Sequence, residues 1–196
     1  MRADKAPGSH AASSRPLRSF AAGNSGNHGF GVHHSVILDA ALAAAAALAC
    51  VIFAAWIYRF NEVPLDVPLA YSGDALYYGA LIKGVIENGW YLHNPSLGAP
   101  FGFDMGPFPM SDNTHFAMLW LIGLFTDEFG SALNVFYLTS FATAAISAFV
   151  SMRWMGLNRL FSLCGAILYS LQAYHFLRGG HLFLASYFCL PIFSAF

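Results

Sequence analysis

Charge and cysteine are both scarce in this sequence. Only 10% of its 196 residues are Asp, Glu, Lys or Arg, and the formal net charge at pH 7 is -1. The nine Lys+Arg are scattered among ten Asp+Glu and form no stripe that could follow a phosphate backbone, which excludes a nucleic-acid-binding protein. The three cysteines, Cys50, Cys164 and Cys189, all lie in apolar runs. They read as small buried hydrophobes, not as a disulfide framework or a metal site. What the chain has instead is apolar surface. It is 57% hydrophobic and 16% aromatic with nineteen Phe, and its mean hydropathy is +0.54. That composition places the chain in a membrane.

Residues 1–34 are rich in Ser, Gly, Ala, Asn and His, carry Arg2, Lys5, Arg15 and Arg18, and show no hydrophobic period. They read as a disordered tail. His28, His33 and His34 have no Cys or carboxylate partners at metal-ligand spacing, so they do not make a metal tract. Val36 to Tyr58 then holds a single charge, Asp39, over 23 residues. At about 1.5 Å per residue that helix reaches roughly 35 Å, enough to cross a bilayer. It reads as a signal anchor, because the apolar run is too long for a cleaved signal peptide.

From residue 59 to 130 the character changes. Pro64, Pro68, Pro95, Pro100, Pro107 and Pro109 break helices, and Gly98, Gly102 and Gly106 supply turns. The stretch reads as a long loop outside the hydrocarbon that contains two interfacial helices. The first covers 72–88, capped by Ser72 with Asp74 in its first turn and Ala75, Tyr78, Ile82, Val85 and Ile86 as its apolar stripe. The second covers 114–126, whose apolar core of 11 residues from Phe116 to Thr126 is too short to cross. Three more spans are expected at 131–152, 159–177 and 182–196, the last of which looks cut in mid-helix. The fold class is therefore an all-α polytopic membrane protein with about four transmembrane helices and one or two interfacial helices. Trp56, Tyr58, Trp90, Tyr91 and Trp154 read as an interfacial aromatic belt.

Orientation follows from the basic residues beside the spans. With 116–126 not crossing, Arg2, Lys5, Arg15, Arg18, Arg153 and Arg159 fall on one side, and Arg59, Lys83 and Arg178 on the other. This puts the N-terminus in the cytoplasm. It sends Glu62, Asp66, Asp74, Glu87, Asp104, Asp112, Asp127 and Glu128 to the outer face together with Arg178 and His181. Carboxylates at the mouth of a bundle can act as bases or hold a divalent cation, whereas Arg and His suit a phosphate. Asp74, Asp112, His115, Arg178 and His181 form such a set. Each is equally explained as a solvated loop residue or an interface anchor. Arg178-Gly-Gly-His181 is a polar break between two apolar runs, and lipid cannot satisfy its backbone, so it must reach the surface or line a cavity. His175, near a helix end, is expected only to hydrogen-bond a neighbouring carbonyl.

The order of these pieces carries a resemblance. A first span is followed by Tyr71-Ser-Gly-Asp74-Ala-Leu-Tyr-Tyr78, Asn94-Pro-Ser-Leu-Gly-Ala-Pro-Phe-Gly102 and Ser111-Asp112-Asn-Thr-His115, and then by Tyr174-His-Phe-Leu-Arg178-Gly-Gly-His181 before an apolar run bearing Pro191. Over residues 36–196 this resembles the start of a GT-C membrane glycosyltransferase, closest to the YfhO-like bacterial membrane proteins. The resemblance implies an N-terminal portion of an enzyme of the bacterial inner membrane. Such an enzyme moves a sugar from a polyprenyl-phosphate donor to an acceptor on the periplasmic face. It implies Asp74 as catalytic base or metal ligand, Arg178 and His181 as contacts to the donor phosphate, and Asp112 and His115 as metal- or acceptor-binding. A divalent cation is a possible cofactor, and membrane lipid or another membrane protein a partner. The chain departs from the family pattern in having no second acid adjacent to Asp74 and far fewer spans. A non-catalytic membrane subunit or truncated remnant stays open as an alternative. A transporter or flippase would have to rely on Gln172, Ser147 and Thr143 for polarity within its spans.

Overall fold

The computed structural model describes residues 28–107 and 112–196, with side chains from Ser35 onward. Most of the tail at 1–34 therefore lies outside the described residues. Its last residues do not: the first helix, α1, begins at His28 and runs to Ile57, so it starts within the stretch expected to be tail. Next come α2 (Asp74–Asn88), β1 (His93–Asn94), β2 (Phe103–Asp104), α3 (Asn113–Gly123), α4 (Phe129–Trp154), α5 (Arg159–Ser170), α6 (Ala173–Leu177), α7 (Leu182–Ala185) and α8 (Cys189–Ser194).

Among the described residues, three segments are long and apolar enough to cross a membrane: Ser35–Ile57, Phe129–Trp154 and Arg159–Leu177. Together they make an α-helical protein built to span a membrane. The stretch 182–196, expected to begin a fourth span, is not one continuous helix. Two short helices, α7 and α8, occupy that stretch, separated at Ser186–Phe188. Pro191 explains the restart, since a residue without an N–H fits the first turn of a helix and disrupts a continuous one. The third span is also broken, between α5 and α6. The Tyr169 and Ser170 carbonyls, which an uninterrupted helix would bond to the N–H groups of Ala173 and Tyr174, are claimed by side chains instead. Tyr187 donates its hydroxyl to Tyr169 O at 3.0 Å, and His175 Nδ1 lies 2.9 Å from Ser170 O.

α1, α4 and α5 pack on one another as the bundle. Contacts at the two ends fix their directions. At one end Asp39, near the start of the apolar segment of α1, meets Arg153 at the end of α4 and Arg159 at the start of α5. At the other end Tyr58, just after α1, shares a hydroxyl contact of 2.8 Å with Tyr137 and donates to Phe176 O at 3.0 Å. Thus α4 runs antiparallel to α1, and α5 runs parallel to it. The loop after α1, together with α2 and α3, covers the Tyr58 end, with α3 packed against α2 and α4. At 11 residues α3 is too short to cross.

Three local expectations are corrected. Ser72 does not cap α2: the N-cap is Gly73 at φ 57, where only a residue without Cβ sits at ease, and no side chain caps the helix. Tyr58 and Tyr91 are not belt residues, since Tyr58 is tied to Tyr137, and Tyr91 is buried and stacked on Phe116 at 3.8 Å between ring centroids. Finally, the outer loop, read as turns and two helices in an all-α chain, also holds a short sheet. β1 and β2 pair antiparallel, with His93 opposite Asp104 and Asn94 opposite Phe103. Of the remaining belt residues Trp56 and Trp154 are exposed, whereas Trp90 is partly buried and packs against the core. Cys50 is buried as expected, whereas Cys164 lies exposed on the apolar face of α5.

Candidate functional site

The candidate residues gather at the Tyr58 end of the bundle as two His–Asp pairs. In the first, His181 Nδ1 lies 2.9 Å from Asp74 Oδ2. Asp74 opens α2 straight after a turn, where a carboxylate favours the helix dipole. His181 is the N-cap of α7, at the polar break between α6 and α7. The contact therefore joins the surface helix to the break that had to reach water. Asp74 is 63% exposed and His181 38%, so the pair adds little to stability and stays accessible to a solute.

The second pair is tighter and more enclosed. Asp112 caps α3 by accepting from the His115 N–H at 3.3 Å, and its other oxygen contacts His115 Nδ1. His115 Nε2 lies 3.1 Å from Ser186 O, in the gap between α7 and α8. Because a carbonyl only accepts, Nε2 is the donor in this contact. Phe183 stacks on His115 at 5.1 Å between centroids.

Tyr78 and Phe183 connect the pairs. Phe183 touches the Tyr78 ring at 4.9 Å between centroids as well as His115. Burial pushes the Tyr78 hydroxyl pKa above its ordinary value, and the charges of Asp74, Tyr77 and Asp112 push it further. Both acids therefore act on one phenol. Sequence reasoning placed Tyr78 in the apolar stripe of α2 and missed that both carboxylates act on it. Its position one helical turn after Asp74 was the available signal.

Arg178 is not part of either pair. Its guanidinium sits over the Tyr174 ring, 5.2 Å from the centroid. The backbone still ties it to the site, since the His181 N–H donates to Arg178 O at 2.8 Å. His175 bonds to a carbonyl as expected, yet it is wholly buried, stacks on Phe141 at 3.6 Å between centroids, and meets Ser140 Oγ at 2.7 Å. Thr143 and Ser147 donate to carbonyls of their own helix and offer nothing to a transported solute. Among the described residues no three His, Cys, Asp or Glu are grouped to hold a metal ion. Asp74–His181 and Asp112–His115 each supply two donors, one of them already engaged in a cap, which does not fit a resident cation.

A His–Asp pair is chemically versatile. The carboxylate orients the imidazole ring and accepts a hydrogen bond from it, which leaves the other ring nitrogen to face a ligand. Among the described residues His181 Nε2 has no hydrogen-bond partner, which leaves it open to a ligand. No protein-family model, curated protein or solved structure matches this chain.

Proposed function

We propose that this chain acts in glycosyl transfer at the membrane surface, taking a sugar from a polyprenyl-phosphate carrier to a hydroxyl acceptor on the periplasmic face of the bacterial inner membrane. The observation that supports this reading best is the 2.9 Å Asp74–His181 contact between a surface helix and a polar break at one end of an apolar bundle. A lipid-linked donor presents its phosphate at that level, with its chain in the hydrocarbon and its sugar in water. In the reaction the acceptor oxygen forms the new bond to the anomeric carbon while the bond from that carbon to the phosphate oxygen breaks. The acceptor proton passes to Asp74, and the phosphate departs with the electron pair. His181 Nε2–H and the Arg178 fork bind the growing phosphate charge. Asp112 and His115 contact the acceptor. Donor and acceptor are positioned by these side chains.

Asp74→Asn tests the reading, with the membrane-extracted chain incubated with radiolabelled polyprenyl-phosphate sugar. The variant keeps size and helix start but cannot take the proton, so transfer falls by about 10²–10⁴-fold with insertion unchanged. Transfer retained in Asp74→Asn removes Asp74 from the mechanism.

A second reading has its own support. Asp112 and His115 are absorbed in capping α3 and in holding the α7–α8 gap, a role that a non-catalytic membrane subunit needs equally. A subunit keeps partner binding when Asp74 and Arg178 are replaced, and has no turnover to lose.

A further inference from the structure

The end of the bundle opposite the His–Asp pairs carries a separate arrangement. Asp39 receives two arginines: Arg153 Nε at 3.1 Å on one oxygen and Arg159 Nε at 2.5 Å on the other. Arg159 also donates to Ser35 O at 3.3 Å, and Arg153 to Leu157 O. One carboxylate neutralises one guanidinium, so the cluster keeps a net positive charge. Two guanidiniums bring about ten N–H donors, more than these acceptors can satisfy. The side chains are also within reach of solvent, at 28% relative exposure for Arg153 and 37% for Arg159.

Directly beside this charge is an apolar cleft of about 330 Å³ between α1 and α4. Val36, Ala40, Ala43, Phe149 and Val150 line it, with Asp39 and Arg153 at its polar end. Ala40 and Ala43 make the depression, because small side chains on α1 leave room where a Leu would fill it. Its volume lies within the range of small-molecule clefts, about 300–1,000 Å³. The exposed Trp154 indole marks the same level of the bundle as an interfacial one.

We propose that this cleft is a binding site for an anionic glycerophospholipid, with one acyl chain between α1 and α4 and the headgroup phosphate on Arg153 and Arg159. The charge complementarity selects the headgroup, since a zwitterionic lipid brings its own cation to a site already carrying excess positive charge. The cleft selects a lipid over free phosphate, since only a lipid fills the apolar part while its phosphate reaches the arginines. Arginine suits the task through its planar fork. The site is independent of the glycosyl-transfer reading, lying at the other end of the spans.

The test is lipid retention by the detergent-purified full chain, followed by native mass spectrometry. Phosphatidylglycerol and phosphatidylcholine of identical chains are compared, with inorganic phosphate as a third probe. Phosphatidylglycerol should bind at least fivefold more tightly than phosphatidylcholine, about the effect of one arginine near a charged headgroup. Arg159→Gln should remove that preference. Asp39→Asn should increase it by about fivefold, because it deletes the competing carboxylate, although the same change loosens the bundle. Equal binding of the two lipids by the unmodified chain overturns the proposal, and that comparison requires no variant. A preference unmoved by Asp39→Asn overturns it too, as does competition by inorganic phosphate as strong as that by the lipid.

Discussion

Asn134→Leu should undock the segment that leads into α2. Asn134 sits in the second turn of α4, wholly buried, and its amide is fully used on a chain segment some 65 residues earlier. Its Oδ1 accepts from the Leu69 N–H at 3.1 Å, and its Nδ2 donates to Leu65 O and Val67 O, both at 2.7 Å. This one side chain thus fixes three backbone groups across residues 65–69, and the backbone then continues through Gly73 into Asp74. Leucine keeps the branched four-atom shape and favours the helix, so neither a cavity nor lost propensity complicates the reading. What disappears is three hydrogen bonds at about 1 kcal/mol each, and the stranded backbone groups add to the cost where they stay buried. Leu65 and Val67 are half-exposed, so their carbonyls can turn to water once the segment lifts. The loss should therefore be about 2–4 kcal/mol.

For a chain of this size that corresponds to a fall of about 5–15 °C in Tm, read by intrinsic fluorescence in detergent. Limited proteolysis provides the local readout, since new cleavage should appear between residues 63 and 70 while α1 and α4 stay protected. A variant melting within 1 °C of the parent, with the same cleavage pattern, would refute the account of Asn134 as the clamp for this segment.

Further outcomes follow from other contacts. Gly130→Ala should act on the same docking, because a Cβ there would lie 1.9 Å from Asp66 O, and a backbone atom cannot step aside cheaply. A loss of about 1–3 kcal/mol in thermal unfolding is expected. His175→Ala should cost about 3 kcal/mol, since it removes a ring stacked on Phe141 and leaves Ser140 and the Ser170 carbonyl short of a partner in the core. Hydrogen exchange in α6 should rise with it. The Tyr78 hydroxyl, held above its ordinary pKa of 10.0 by burial and then by Asp74, stays protonated in the folded chain while an unfolded one ionises. Its contribution to stability is therefore intact below pH 10 and lost as pH rises beyond it. Tyr78→Phe should flatten the alkaline limb of the pH–Tm curve.

The spans were legible because the signal is long. A run such as Ser35–Ile57 with one charge leaves a helix few alternatives in lipid. α2 was legible through its 3.6-residue stripe, apart from its cap. Interruptions hid themselves better. The α5–α6 break depends on Tyr187 and His175 capturing carbonyls, and neither side chain announces such a role in an apolar sequence. The same blindness covers Asn134, a lone amide in an apolar run whose partners are backbone atoms far away in sequence. It also covers Tyr58 and Tyr91, whose composition fits a belt as readily as a core.

The candidate site divides along the same line. Sequence order brought Asp74 and His181 to one end of the bundle, whereas the cap that pairs Asp112 with the residue three positions on, His115, was not foreseen. What it could not supply is the link between them. Phe183 of α7 touches Tyr78 and His115 together, and α7 ends where it does because the run at 182–196 is not one helix. The break in this run, which sequence reading did not foresee, is the feature that closes the site. A continuous helix through Leu182–Phe196 would carry the Ser186 carbonyl into its own hydrogen-bond ladder and away from His115, leaving two unconnected ion pairs. The broken segment is therefore a condition for the site, and a substitution that mends it, such as Pro191→Ala, should loosen the His115–Ser186 contact first.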